Sequence, residues 1–113
     1  MNMKYFVTDS ERIGTNYYEF YKGKWDGETF WKEDSISVHD NVLYENQGFV
    51  EAIIEVKHSF DAFGVTEISP GDWKNIGEVI LQKDCNCQEL FFEADDWVQD
   101  VFKTYDCFTI LGI

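Results

Sequence analysis

Apolar residues change their spacing partway along this chain of 113 residues, and that change limits the architectures open to it. From Met3 to Val38 they alternate with polar residues, as in a strand with one face buried: Tyr18 and Phe20 flank Glu19, and Ile36 and Val38 alternate with serines. The pattern predicts strands at Tyr5–Thr8, Tyr17–Lys22, Glu28–Lys32 and Ser35–Val38, with turns at Gly23 and Asp26-Gly27. From Gln47 to Phe60 the spacing becomes helical, with Phe49, Ile53, Val56 and Phe60 on one side and Glu51 and Glu55 on another. Gly64 can end that segment.

The sharpest local signal follows. Ser69 can cap a helix that begins at Pro70 and carries Asp72 at its third position, and Ile68 and Trp73 can staple its entry. A helix over Pro70–Gln82 then turns Trp73, Ile76 and Ile80 inward. After Asp84 two patterns compete. Leu90, Ala94, Trp97 and Val101 suit one long helix, whereas Leu90 and Phe92 alternate with glutamates as in a strand. Because Phe91-Phe92 suits a pleated surface and Asp95 can cap, the favoured reading is a strand near Glu89–Glu93 and a helix from Asp96 to Thr104. Phe108–Ile113 is too short for a helix and reads as a buried last strand that does not tolerate truncation. The expected fold is a single α+β domain, residues 1–113: an N-terminal antiparallel β-meander packed against two or three helices, with a buried C-terminal strand.

Hydrophobic residues at 44% and aromatics at 18% supply enough apolar surface for an ordered core. No run approaches the roughly 20 apolar residues of a membrane span, and Met1–Ser10 lacks the basic-then-apolar order of a signal peptide. Three cysteines cannot all pair within one chain, and a Cys85–Cys87 bridge would be strained, so reduced thiols and a cytoplasmic location are expected.

The net charge of −13 is unevenly placed. Residues 1–32 hold five acids and five bases; the remaining 17 acids and 4 bases lie in residues 33–113. Such a field repels nucleic acid and anionic membrane and attracts cationic proteins. On a C-terminal helix Asp96 and Asp100 share a face, and Glu89 and Glu93 extend the stripe if the helix starts earlier. Like charges four apart oppose helix formation by a few tenths of a kcal/mol, so the arrangement is a poor one for stability alone. The candidate partner-binding residues are Glu51, Glu55, Glu89, Glu93, Asp95, Asp96 and Asp100, with Trp97 as an aromatic anchor beside them; Tyr44 and Tyr105 are further anchor candidates.

Other chemistry is weakly signalled. His39, His58, Cys85 and Cys87 lack the paired spacing of a zinc site, so no metal or cofactor is expected. His58 near Ser59 and Asp61, or His39 beside Asp40, is all that suggests a nucleophile and base, and sequence neighbours point in different directions. An enzyme is therefore not the expectation. The alternative to a partner-binding protein is a small enzyme or ligand-binding domain with an aromatic-lined pocket served by His58 or His39.

In size, acidity and its ending Trp97–Ile113, "WVQDVFKTYDCFTILGI", the chain resembles the small acidic immunity proteins of bacterial polymorphic-toxin and contact-dependent growth-inhibition systems. The resemblance implies an antitoxin that binds a cognate basic toxin domain, such as a nuclease, and blocks its active site or an adjacent surface. A monomer or weak homodimer without nucleic-acid or membrane partners is expected, and the resemblance transfers the role of no individual residue.

Overall fold

Strand alternation and helical spacing resolve into five strands and four helices among the described residues, which are 3–61, 63–82 and 87–112 of a computed structural model. In chain order they are β1 (Phe6–Val7), β2 (Tyr17–Lys22), β3 (Ile36–His39), α1 (Asp40–Glu45), α2 (Gln47–Val56), β4 (Val65–Ile68), α3 (Pro70–Gln82), α4 (Gln88–Phe102) and β5 (Phe108–Leu111). The strands form one antiparallel sheet in the order β1-β3-β2-β5-β4. The predicted α+β architecture holds, and the last strand lies inside the sheet, between β2 and β4.

Register decides which side chains meet the helices. Phe6, Tyr18, Phe20, Ile36, Val38, Ile68, Phe108 and Ile110 fall on one face by the alternation of the pleat, and all belong to the buried core. Against them pack Phe49 and Ile53 of α2, Trp73, Ile76 and Ile80 of α3, and Leu90, Ala94, Val98 and Val101 of α4. Aromatic rings join the layers: Phe108 stacks on Phe20 at 5.2 Å between centroids and takes the edge of Trp73 at 5.5 Å. Gly77 lets α3 and α4 approach closely, since a Cβ there would lie 2.8 Å from the tip of Phe91.

The Ser69 cap forms as predicted. The Asp72 amide donates to Ser69 Oγ and the Ser69 amide donates to Asp72 Oδ2, each at 3.1 Å. Residues 89–93, expected as a strand, are instead the first turns of α4. Leu90, Phe91 and Ala94 are buried while Phe92 is exposed, and that spacing belongs to a helix; it lets Phe91 stack on Trp73 at 4.8 Å.

The strand predicted at Glu28–Lys32 does not form either. Asp26 accepts bonds from the Glu28 and Thr29 amides and the Thr29 hydroxyl, and Trp25 Nε1 donates to the Thr29 carbonyl, so local bonds take the place of a ladder. The resulting loop, residues 23–35, lies over the sheet face turned away from the helices. Gly23 opens it at φ 75, where Tyr105 packs so closely that a Cβ would sit 2.7 Å from the ring. The three Asp26 bonds, led by that of the Thr29 hydroxyl, pull its carboxyl down from 3.8 to about 2. A lowered folded-state pKa contributes stability that is complete above 3.8 and disappears as pH falls through about 2. A carbon-detected titration is expected to place the Asp26 carboxyl midpoint near 2, and a midpoint at 3.8 would remove the proposed turn bonds.

Under the loop lies a feature the alternation did not disclose. Glu19 is 1% exposed, and its carboxylate accepts from the backbone amides of Trp31 at 2.7 Å and Lys32 at 3.0 Å. Trp31 adopts a left-handed conformation, φ 60, and its ring lies under the Arg12 guanidinium at 3.8 Å. Lys32 lies over the ring of Tyr21 at 4.9 Å. The carboxylate thus ties the loop to β2.

Candidate protein-binding face

Helix α4 places its apolar positions inward and leaves Glu89, Glu93, Asp96 and Asp100 along one outer stripe at helical spacing. Two of the four are engaged by the N-terminal segment. Glu89 accepts from the Tyr5 hydroxyl at 2.7 Å and from Lys4 Nζ at 3.1 Å, and these partners, Tyr5 foremost, hold its carboxyl below the ordinary value. Glu93 accepts from the backbone amides of Tyr5 and Phe6 at 3.0 to 3.3 Å. These bonds fasten the start of β1 to α4.

Asp96 and Asp100 remain on the exposed part of the stripe. Asp96 makes no ion pair among the described residues, and Asp100 meets Lys103 at 3.8 Å, where both side chains are largely solvated and the pair is weak. Between these acids and β3 lies a concavity of about 410 Å³ lined by Met3, Ile36, Glu93, Asp96, Trp97 and Asp100. Trp97 is half-buried and donates from Nε1 to the Asp34 carbonyl at 3.1 Å, which fixes the indole at the wall. The surface therefore combines an apolar floor with a carboxylate rim. That combination suits the aliphatic stem and charged head of a lysine or arginine.

The other predicted site residues lie elsewhere. Asp95 accepts from Trp73 Nε1 at 2.8 Å and Gln99 Nε2 at 3.0 Å, and it borders a separate, largely apolar groove of about 400 Å³ between α3 and α4. Glu51 and Glu55 are exposed on α2, with α3 packed against both α2 and α4. Glu51 borders a shallow hollow of about 270 Å³ together with Asp40, Leu43 and Tyr44. Of the predicted set the structure gathers Glu93, Asp96, Trp97 and Asp100 around one concavity, with Glu89 next along the helix.

The histidines are not brought together into a catalytic arrangement. His39 accepts from the Asn41 amide through Nδ1 at 3.0 Å, capping α1, and meets Tyr17 edge-on; His58 is exposed beyond α2. Among the described residues no cluster of three or more His, Cys, Asp or Glu side chains could hold a metal ion, and no helix is long and apolar enough to cross a membrane. Cys85, half of the Cys-x-Cys considered for metal, lies outside the described residues. Cys107 is a free thiol, but Cys87 is disulfide-bonded, against the expectation of reduced thiols throughout.

No protein-family model, curated protein or solved structure matches the chain.

Proposed function

We propose that this protein binds a cationic protein through the outer face of α4, as an immunity protein that neutralises a basic toxin domain. The observation that carries the reading is the concavity beside Trp97, where Asp96 and Asp100 stand exposed over the apolar floor of Met3 and Ile36. The location of the net charge in residues 33–113 supports it, because such a field accelerates encounter with a basic partner. Acidic side chains on this face would occupy positions that substrate phosphates take on a nuclease. Action is stoichiometric, without turnover, and takes place in the cytoplasm.

The direct experiment uses the C-terminal domain of the protein encoded immediately upstream. Growth arrest by that domain alone, relieved by co-expression of this chain, is the expected result; a domain that is harmless, or toxic regardless of this chain, defeats the reading. With that domain as partner, the double substitution Asp96→Asn and Asp100→Asn is expected to slow association about tenfold at low salt and to flatten its salt dependence. Stopped-flow fluorescence measures both, and an unchanged association rate would move the contact off α4.

A further inference from the structure

The two edges of the sheet end differently. At β1 the carboxylate of Glu93 occupies the Tyr5 and Phe6 amides. At β4 the edge is open, and the register shows which groups face out. Gly23 donates to the Cys107 carbonyl, which assigns Cys107, Thr109 and Leu111 to bonds with β2. The alternate residues Phe108, Ile110 and Gly112 then bond toward β4, and Gly112 donates to the Gly64 carbonyl at 2.7 Å. Gly64, Thr66 and Ile68 accordingly turn their backbone groups to β5, while Val65 and Glu67 turn theirs outward. Among the described residues no side chain or backbone group outside the sheet bonds to the amides or carbonyls of Val65 and Glu67.

The flank of this edge is unusually apolar for a molecule so acidic. Val65 is 46% exposed, Phe30 52% and Phe63 82%. With Trp25 and Leu111 they line a concavity of about 280 Å³ on the sheet face turned away from the helices. Glu67, two residues along the same face, is exposed, as are Asp61 and Asp106, against the exposed base Lys24. Glu67 decides among occupants. A second copy laid antiparallel on β4 would bring its own Glu67 to the same four-residue edge, and each copy carries −13, so pairing between copies is opposed. A cationic strand meets no such cost.

We infer that β4 is a strand-addition site for an extended segment of a basic protein. The segment's backbone bonds Val65 and Glu67, one apolar side chain settles over Trp25, Phe30 and Phe63, and a Lys or Arg two residues away lies opposite Glu67. This surface is separate from the α4 face and does not depend on it.

The test uses isotope-labelled full-length protein and two capped hexapeptides as probes, Lys-Thr-Val-Thr-Lys-Thr and its counterpart with Glu at both Lys positions. The lysine peptide is expected to shift the Val65 and Glu67 amide resonances and slow their hydrogen exchange, and to bind about fivefold more tightly than the glutamate peptide. Glu67→Lys, at an exposed position, is expected to reverse that order while the thermal melt stays the same. The inference is overturned by an absence of shifts at millimolar peptide, by shifts centred on Asp96 and Asp100, by an unchanged order in E67K, or by concentration-dependent self-association through β4.

Discussion

A chain that stops at Asp106 is expected to lose its cooperative unfolding transition altogether. The deleted residues include β5, which pairs with β2 on one side and β4 on the other, so its removal breaks two ladders and leaves β4 without a neighbour. Phe108, Ile110 and Leu111 are all buried, and Phe108 contacts the rings of Phe20, Trp73, Trp97 and Phe102. Phe108→Ala alone should cost about 3–5 kcal/mol. A domain of ordinary stability holds about 5–15 kcal/mol in total, so loss of the whole strand exceeds what remains. Thermal and urea unfolding followed by tryptophan fluorescence measure both variants. A truncated chain that still melted cooperatively would show that β5 is dispensable and that the sheet order described above is wrong.

Substitution of Glu19 is expected to have the second largest effect, and to act first on the loop. In Glu19→Ala the Trp31 and Lys32 amides lose their acceptor, and each orphaned donor costs about 1–3 kcal/mol. Trp31 also loses the bond that holds it at φ 60, a conformation costing about 1–3 kcal/mol when unsupported. Glu19→Gln keeps one acceptor but turns its amide donors toward a backbone N–H, so it should fall between wild type and alanine. Urea midpoints rank the three proteins. Hydrogen exchange at the Trp31 and Lys32 amides is expected to accelerate well beyond that at Phe20, and uniform acceleration would mean that the carboxylate supports the core and not the loop.

What could be read from the residues depended on how local the cause was. The Ser69–Pro70 helix start was legible because cap, first-turn proline and staple lie within six residues. The β2 strand was legible because one of its faces meets the core and the period is two. Residues 89–93 were misread because Leu90 fits both periods, alternating with Phe92 as in a strand and spaced with Ala94 as in a helix; the choice is made by Trp73, which offers Phe91 a stacking partner from another helix. Residues 28–32 were misread because Asp26 and Trp25 capture the backbone that a ladder would need. Strand β4 was missed although Val65 to Ile68 alternate cleanly, because four residues beside Gly64 resemble the end of the preceding helix. In the candidate site, the shared face of Asp96 and Asp100 followed from helical geometry, whereas Glu89 and Glu93 joined that stripe only on the longer-helix reading, which was not the favoured one. Its division into fastening residues and exposed residues did not, since that depends on the chain's first strand lying alongside α4. Nor could the burial of Glu19 be foreseen without the loop that covers it.

The bonds that Glu93 accepts from the Tyr5 and Phe6 amides span more than eighty residues, and β2 waits on β5 across a similar interval. During synthesis β1 cannot meet Glu93 until that residue has left the ribosome, nor β2 its partner β5 until the residues through Leu111 have followed. A fold closed by such distant pairings assembles late and comparatively slowly. Until then the open edges and the aromatic residues of the early strands stay exposed, and the newborn chain depends on its surplus of like charge to stay clear of other copies.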